Sequence, residues 1–165
     1  MRYSLKSLFI LAILTAFGAW WLALYLDDPI VRIKQLGGQH YQAAGDDGLN
    51  YIFLTSPPFD PSNIDELVFA LDRTSDPWEI FIHEIPDKHL GEFENAKNIL
   101  RIYLGESGIG NEGLIALGKI PSLKEVKIKR CFNLDSDGIA ALRSKRPDIV
   151  ISGWRFGAVA GEIAR

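Results

Sequence analysis

Residues 99–109 read ILRIYLGESGI and residues 123–134 read LKEVKIKRCFNL. Each holds two aliphatic residues in alternation, Ile102 and Leu104 in the first, Val126 and Ile128 in the second. Alternation puts the aliphatic pair on one face of a short strand and its neighbours on the other. The same doublet occurs upstream as Ile80/Ile82 and downstream as Ile149/Ile151, at successive steps of 22, 24 and 23 residues. A step of this size marks one supersecondary unit repeated along the chain.

The sequence between doublets repeats as well. SGIGNEGLIALGKIP at 107–121 and CFNLDSDGIAALRSKRP at 131–147 each place an apolar residue, Ile109 or Leu134, before a polar turn. Gly113 or Gly138 then precedes an apolar pair at helical spacing, Leu114/Leu117 and Ile139/Leu142. EIPDKHLGEFENA is a looser copy carrying Ile85, Leu90 and Phe93. Strand, turn, helix and return make one lap of an α/β solenoid, whose units stack because none can bury its apolar side alone.

The two opening stretches resemble the leucine-rich repeat pattern L-x-x-L-x-L-x-x-N/C-x-L, the second with one extra residue before Leu134, as in cysteine-containing repeats. The resemblance covers residues 63–152. It departs from the pattern at Pro77, where an aliphatic residue belongs, and the last repeat ends after its strand. In this register Cys131 occupies the inward-pointing N/C slot and Ser107 the same slot one unit earlier, so the only cysteine reads as a buried structural thiol. The layout also looks like that of small bacterial membrane-anchored leucine-rich-repeat proteins. The family implies partner binding on the repeat surface rather than catalysis.

At the N-terminus, Arg2 and Lys6 precede an uncharged run from Ser7 to Leu26, closed by Asp27 and Asp28. Twenty such residues match the thickness of a bilayer as a helix. A retained single-pass anchor puts the N-terminus in the cytoplasm and the rest in an extracytoplasmic space; Trp20, Trp21 and Tyr25 suit its far interface. The alternative is a secreted chain whose signal is cleaved near Ala16–Gly18. Either way the exported part holds 16 basic and 21 acidic residues, a formal charge of −5, which argues against nucleic-acid binding.

The expected organisation is a transmembrane helix over 1–28, an N-terminal cap over 29–62, a solenoid over 63–153 and a tail over 154–165. The cap begins with a short helix, PIVRIKQ, that buries Ile30, Ile33 and Leu36 and stops at Gly37. A hairpin follows, turning at Asp47-Gly48. Asn63 is the expected N-cap of a helix through Arg73 that turns Ile64, Leu67, Val68 and Leu71 inward. At the other end Trp154 and Phe156 are placed to cover the last strand.

Catalytic and metal motifs do not emerge. His83 and His89 are six residues apart, which is no usual zinc spacing, and neither a phosphate loop nor a nucleophile elbow is present. The expectation is therefore a non-enzyme with no cofactor and no metal. Inward positions are Ile80, Ile82, Ile102, Leu104, Val126, Ile128, Ile149 and Ile151. The outward row is Glu79, Phe81 and His83, then Arg101 and Tyr103, then Glu125, Lys127 and Lys129, then Asp148 and Val150. Phe81 and Tyr103 are the expected anchors for a protein partner, because exposed aromatics carry much interface energy. Residues 27–112 hold 16 acidic and 6 basic residues, whereas 124–146 hold seven basic residues (Lys124, Lys127, Lys129, Arg130, Arg143, Lys145, Arg146) against Glu125, Asp135 and Asp137. This basic segment reads either as a solvated end cap or as a docking patch for an acidic partner or anionic headgroups. Self-association through an exposed end strand is the second functional reading.

Overall fold

A computed structural model describes residues 5–26, 28–42, 49–55, 57–106 and 108–154. Six strands, β1 (Gln39–Gln42), β2 (Asn50–Thr55), β3 (Trp78–His83), β4 (Ile99–Gly105), β5 (Glu125–Lys129) and β6 (Val150–Trp154), form one sheet in sequence order. β1 and β2 pair antiparallel; every later pair is parallel. Six helices accompany it: α1 (Leu5–Leu26), α2 (Pro29–Gln35), α3 (Ile64–Asp72), α4 (Asp87–Leu90), α5 (Asn111–Leu117) and α6 (Ser136–Lys145). The fold is thus mixed α/β, with parallel neighbours joined by a helix-bearing return.

The aliphatic doublets build the core. Ile80, Ile102 and Val126 are register partners, as are Ile82, Leu104 and Ile128. All six are buried against Leu67, Leu71, Leu90, Phe93, Leu114, Leu117, Ile139 and Leu142 from the returns. β2 adds a pair that the repeat step did not reveal: Ile52 and Leu54 stand opposite Ile80 and Ile82, although they lie 28 residues upstream. The hairpin strand is therefore the first parallel strand of the ladder, with β1 closing its edge.

The last doublet departs from expectation. Val126 pairs with Ile151 and Ile128 with Gly153, so the step is 25 residues and Ile149 lies outside the strand, although it is buried. The cause is one extra residue in the preceding turn, which Ile149 N–H closes on Arg146 O at 3.2 Å. Asp148 consequently leaves the outward row, where Val150 now stands beside Glu125 and Ser152 beside Lys127.

Polar residues repeat at their own steps and lock one unit to the next. Asp87, Asn111 and Asp135 are each 24 residues apart. Helix α5 has Gly110 at its N-cap and no capping side chain of its own; Asp87 from the preceding unit accepts from Gly110 N at 3.0 Å and Gly113 N at 3.3 Å instead. The side chains of Asn111 and Asp135 bond at 2.8 Å, and Asp135 caps α6 through Asp137 N and Gly138 N. A second set, Thr74, Asn98, Ser122 and Arg146, precedes the strands; the last three bond backward to carbonyls of the unit before, whereas Thr74 donates to Leu71 O of its own helix. Immediately after three strands, Glu84, Glu106 and Arg130 take the left-handed conformation, with φ of 59°, 47° and 55°.

At the N-terminal end, Asp28 caps α2 through Ile30 N at 2.8 Å. Gly37 ends that segment with φ of 91°, and a Cβ there would lie 2.8 Å from Pro58 O, so both conformation and space demand glycine. Asn63 makes no capping bond: a 3₁₀ turn at Pro61–Asn63 leads into α3, and Asp60 caps that turn through Ser62 N at 2.9 Å. The helix expected within 1–28 forms as α1, but its side chains are described only at Ile10, at 12–20 and at Ala23. Among the described residues no helix is long and apolar enough to cross a membrane. The turn at Asp47-Gly48, Ser107 and Phe156 lie outside the described residues, and of Trp154 only the backbone is described.

Candidate functional site: the open face of the sheet

Parallel sheets are usually covered on both faces. Among the described residues the helices cover one, and on the other most of the alternate side chains of β2–β5 stay at least partly exposed, the buried Glu79 excepted, which makes this face the candidate site.

Along the middle of the face runs an aromatic row. Phe53, Phe81, Tyr103 and Lys127 are successive register partners across β2–β5. The rings of Phe53 and Phe81 stack with centroids 4.2 Å apart, and Phe81 and Tyr103 are 5.0 Å apart. Tyr41 from β1 meets Phe53 edge-on at 5.3 Å, and Tyr51 lies 6.1 Å from Phe81. Such pairs contribute roughly 0.5–1.5 kcal/mol each beyond area burial and fix the rings in place. At the carboxyl ends of the strands the row opens into a recess of about 250 Å³ lined by Phe53, Thr55, Phe81, His83 and Tyr103.

Next to it lies a chain of ion pairs. Glu79, whose side chain is 5% exposed, faces Arg101 at 3.5 Å and Lys127 at 3.5 Å. Arg101 also reaches Glu125 at 3.2 Å, and Ser152 donates to Glu125 at 3.1 Å. Cross-strand opposite charges stabilise a sheet, and a carboxylate this buried needs its partners. Glu79, Arg101, Glu125 and Lys127 are thus brought together, but chiefly to neutralise one another. The structure leaves Phe81, Tyr103 and His83 on the apolar recess and Lys129 exposed outside it.

The basic segment divides in the same way. Arg130 pairs with Glu106. Arg146 is no patch residue: its guanidinium donates to the carbonyls of Gly118, Ile120 and Leu123 at 2.9, 3.0 and 3.2 Å and clasps Asp148 at 2.8 Å. That hydrogen bond holds the Asp148 carboxyl down at about 2.

Cys131 is buried, 3% exposed, with Sγ 3.6 Å from Leu104 O. Among the histidines, His89 bonds Glu92 at 2.9 Å and His40 packs edge-on against Trp78 at 5.5 Å. Among the described residues no cluster of His, Cys, Asp and Glu suits a metal ion. What sequence reasoning missed was Tyr41, Tyr51, Phe53 and Thr55. The signal for the last three was the alternation in NYIFLT, obscured because its 28-residue step fell outside the repeat. No protein-family model matches the chain, and no curated protein matches it.

Proposed function

We propose that the chain is a short leucine-rich-repeat-like solenoid that acts as a protein-interaction module, recognising a protein partner on the open sheet face. The observation that carries this is the row Tyr41, Phe53, Phe81 and Tyr103, preassembled on an uncovered face. Rigid, half-exposed aromatics beside satisfied ion pairs lose little entropy on binding and bury much area, as interface hot spots do. The test is a photo-crosslinking residue placed at Tyr103 in the intact protein in its own membranes, with one at Phe69 as control. Phe69 is 67% exposed but lies on α3, on the helical side. A discrete foreign protein captured at Tyr103 and absent at Phe69 supports the reading; identical products from both positions refute it.

The module is held to the membrane by its N-terminal helix, with the domain on the extracytoplasmic side. In support, Ile10, Ile13, Leu14, Phe17 and Trp20 of α1 are each more than half exposed, and the core includes none of the α1 residues whose side chains are described. Such a helix asks for an apolar solvent. Retention in the membrane pellet after alkaline carbonate washing is the expected result, and release into the supernatant would remove the anchor. The second reading, a self-associating envelope component, is favoured by the charge asymmetry between an acidic N-terminal part and a basic C-terminal end. It predicts light scattering that grows with protein concentration in the absence of any partner.

A further inference from the structure

A second site lies at the last strand of the sheet, and it borders the first, sharing Tyr103 and Lys127 with the open face. Among the described residues β6 pairs with β5 alone and ends the sheet. Val150 N–H donates to Lys124 O at 2.8 Å, on the β5 side, so the next N–H along the strand, that of Ile151, turns to the open edge. Around this edge runs a groove of about 1160 Å³. Its apolar part is Ile149, Val150 and Ile151, and Val150 is 60% exposed. Its charged part is Lys127, Lys129, Arg130 and Arg143, with no acidic residue in the lining among the described residues. Lys127 is paired with Glu79 and Arg130 with Glu106, whereas Lys129 and Arg143 have no carboxylate partner among the described residues.

An open strand edge, an apolar layer and two uncompensated cations narrow the occupant. A unit stacked here would continue the Ile151 layer through its own backbone bonds, which lipid headgroups cannot supply. A second copy pairing β6 to β6 about a two-fold axis would set Lys129 and Arg143 against themselves. The chain's own residues 155–165 carry Arg155 and Arg165 against Glu162 alone, so they offer the cations little. We infer that the β6 edge binds an extended acidic segment of another protein by strand addition. The segment's backbone bonds to the open edge, its apolar side chains extend the Ile149 and Ile151 layer, and its carboxylates meet Lys129 and Arg143.

The test uses the full chain in neutral detergent and a fluorescein-labelled, strand-length peptide of alternating Glu and Val, read by anisotropy. Binding that weakens with salt is expected, as is a loss of about tenfold in affinity for Lys129→Glu and again for Arg143→Glu, with unchanged melting temperatures. Binding to an alternating Lys and Val peptide should be absent. A Glu and Val peptide N-methylated at every amide keeps the charge but cannot donate to the edge; equal affinity for it overturns strand addition. Failure of the Glu and Val peptide to bind overturns the site. So does binding only to phosphatidylglycerol vesicles, or self-association that the peptide does not compete with.

Discussion

Replacing Arg146 with alanine tests whether this cation is a structural clamp or part of a charged patch. Its three carbonyl acceptors sit at the end of α5 and in the turn leading to β5, and its side chain is 22% exposed. A hydrogen bond from a charged group contributes about 1.5–3 kcal/mol net, so three would suggest a loss well above 4 kcal/mol. Water entering the truncated site rehydrates some of these carbonyls, and the half-open setting brings the expected loss to about 3 kcal/mol. For a chain of this size that lowers the melting temperature by roughly 10 °C. The assay is urea and thermal unfolding by circular dichroism of the full chain in neutral detergent. Arg146→Lys should recover only part of the loss, since an ammonium cannot span three carbonyls and Asp148 with one planar fork. A loss within about 0.5 kcal/mol, the level of an ordinary surface substitution, would refute the clamp. Full recovery by lysine would refute the geometry while keeping the charge.

The Asp148 carboxyl, held at about 2 by Arg146 against an ordinary value of 3.8, contributes stability that is fully present above 3.8 and is lost as pH falls toward 2. The difference in melting temperature between the native chain and Asp148→Asn should therefore close over that window; a difference that persists at pH 2 would contradict it. Cys131 should react with a thiol reagent only at the rate of local opening, far more slowly than in denaturant, and equal rates would show it to be accessible. Glu84 sits at φ of 59°, a conformation glycine adopts without strain, so Glu84→Gly should be neutral or stabilise by up to about 1 kcal/mol; a loss of that size would show that its side chain matters.

Much of the ladder was legible because burial forces periodicity. Ile80/Ile82, Ile102/Leu104 and Val126/Ile128 can only face the core if their strands lie in one register, and the sheet has that register. The polar sets at Asp87, Asn111 and Asp135 and at Thr74, Asn98, Ser122 and Arg146 keep the same step, yet their residue types differ from unit to unit. What repeats there is a hydrogen-bonding duty, which aspartate, asparagine, serine and arginine fulfil by different atoms. The displaced last doublet shows the complementary limit. Ile149 and Ile151 continue the pattern perfectly, and a single extra residue in the Arg146–Asp148 turn nonetheless moves the strand past it.

For the site, the sequence by itself determined which side chains of β3–β5 leave the core, because alternation along a strand is a local property of the backbone. It placed Phe81, Tyr103 and the charges beside them on one face. Only the tertiary structure decided which of those groups are free. Glu79, Arg101, Glu125 and Lys127 come from three separate strands and neutralise each other across them, and Arg146 turns inward to carbonyls more than twenty residues away in the chain. Parallel pairing of β2 with β3 then carried Phe53 onto Phe81. Such pairings depend on distances between distant segments, and those are set by how the units stack.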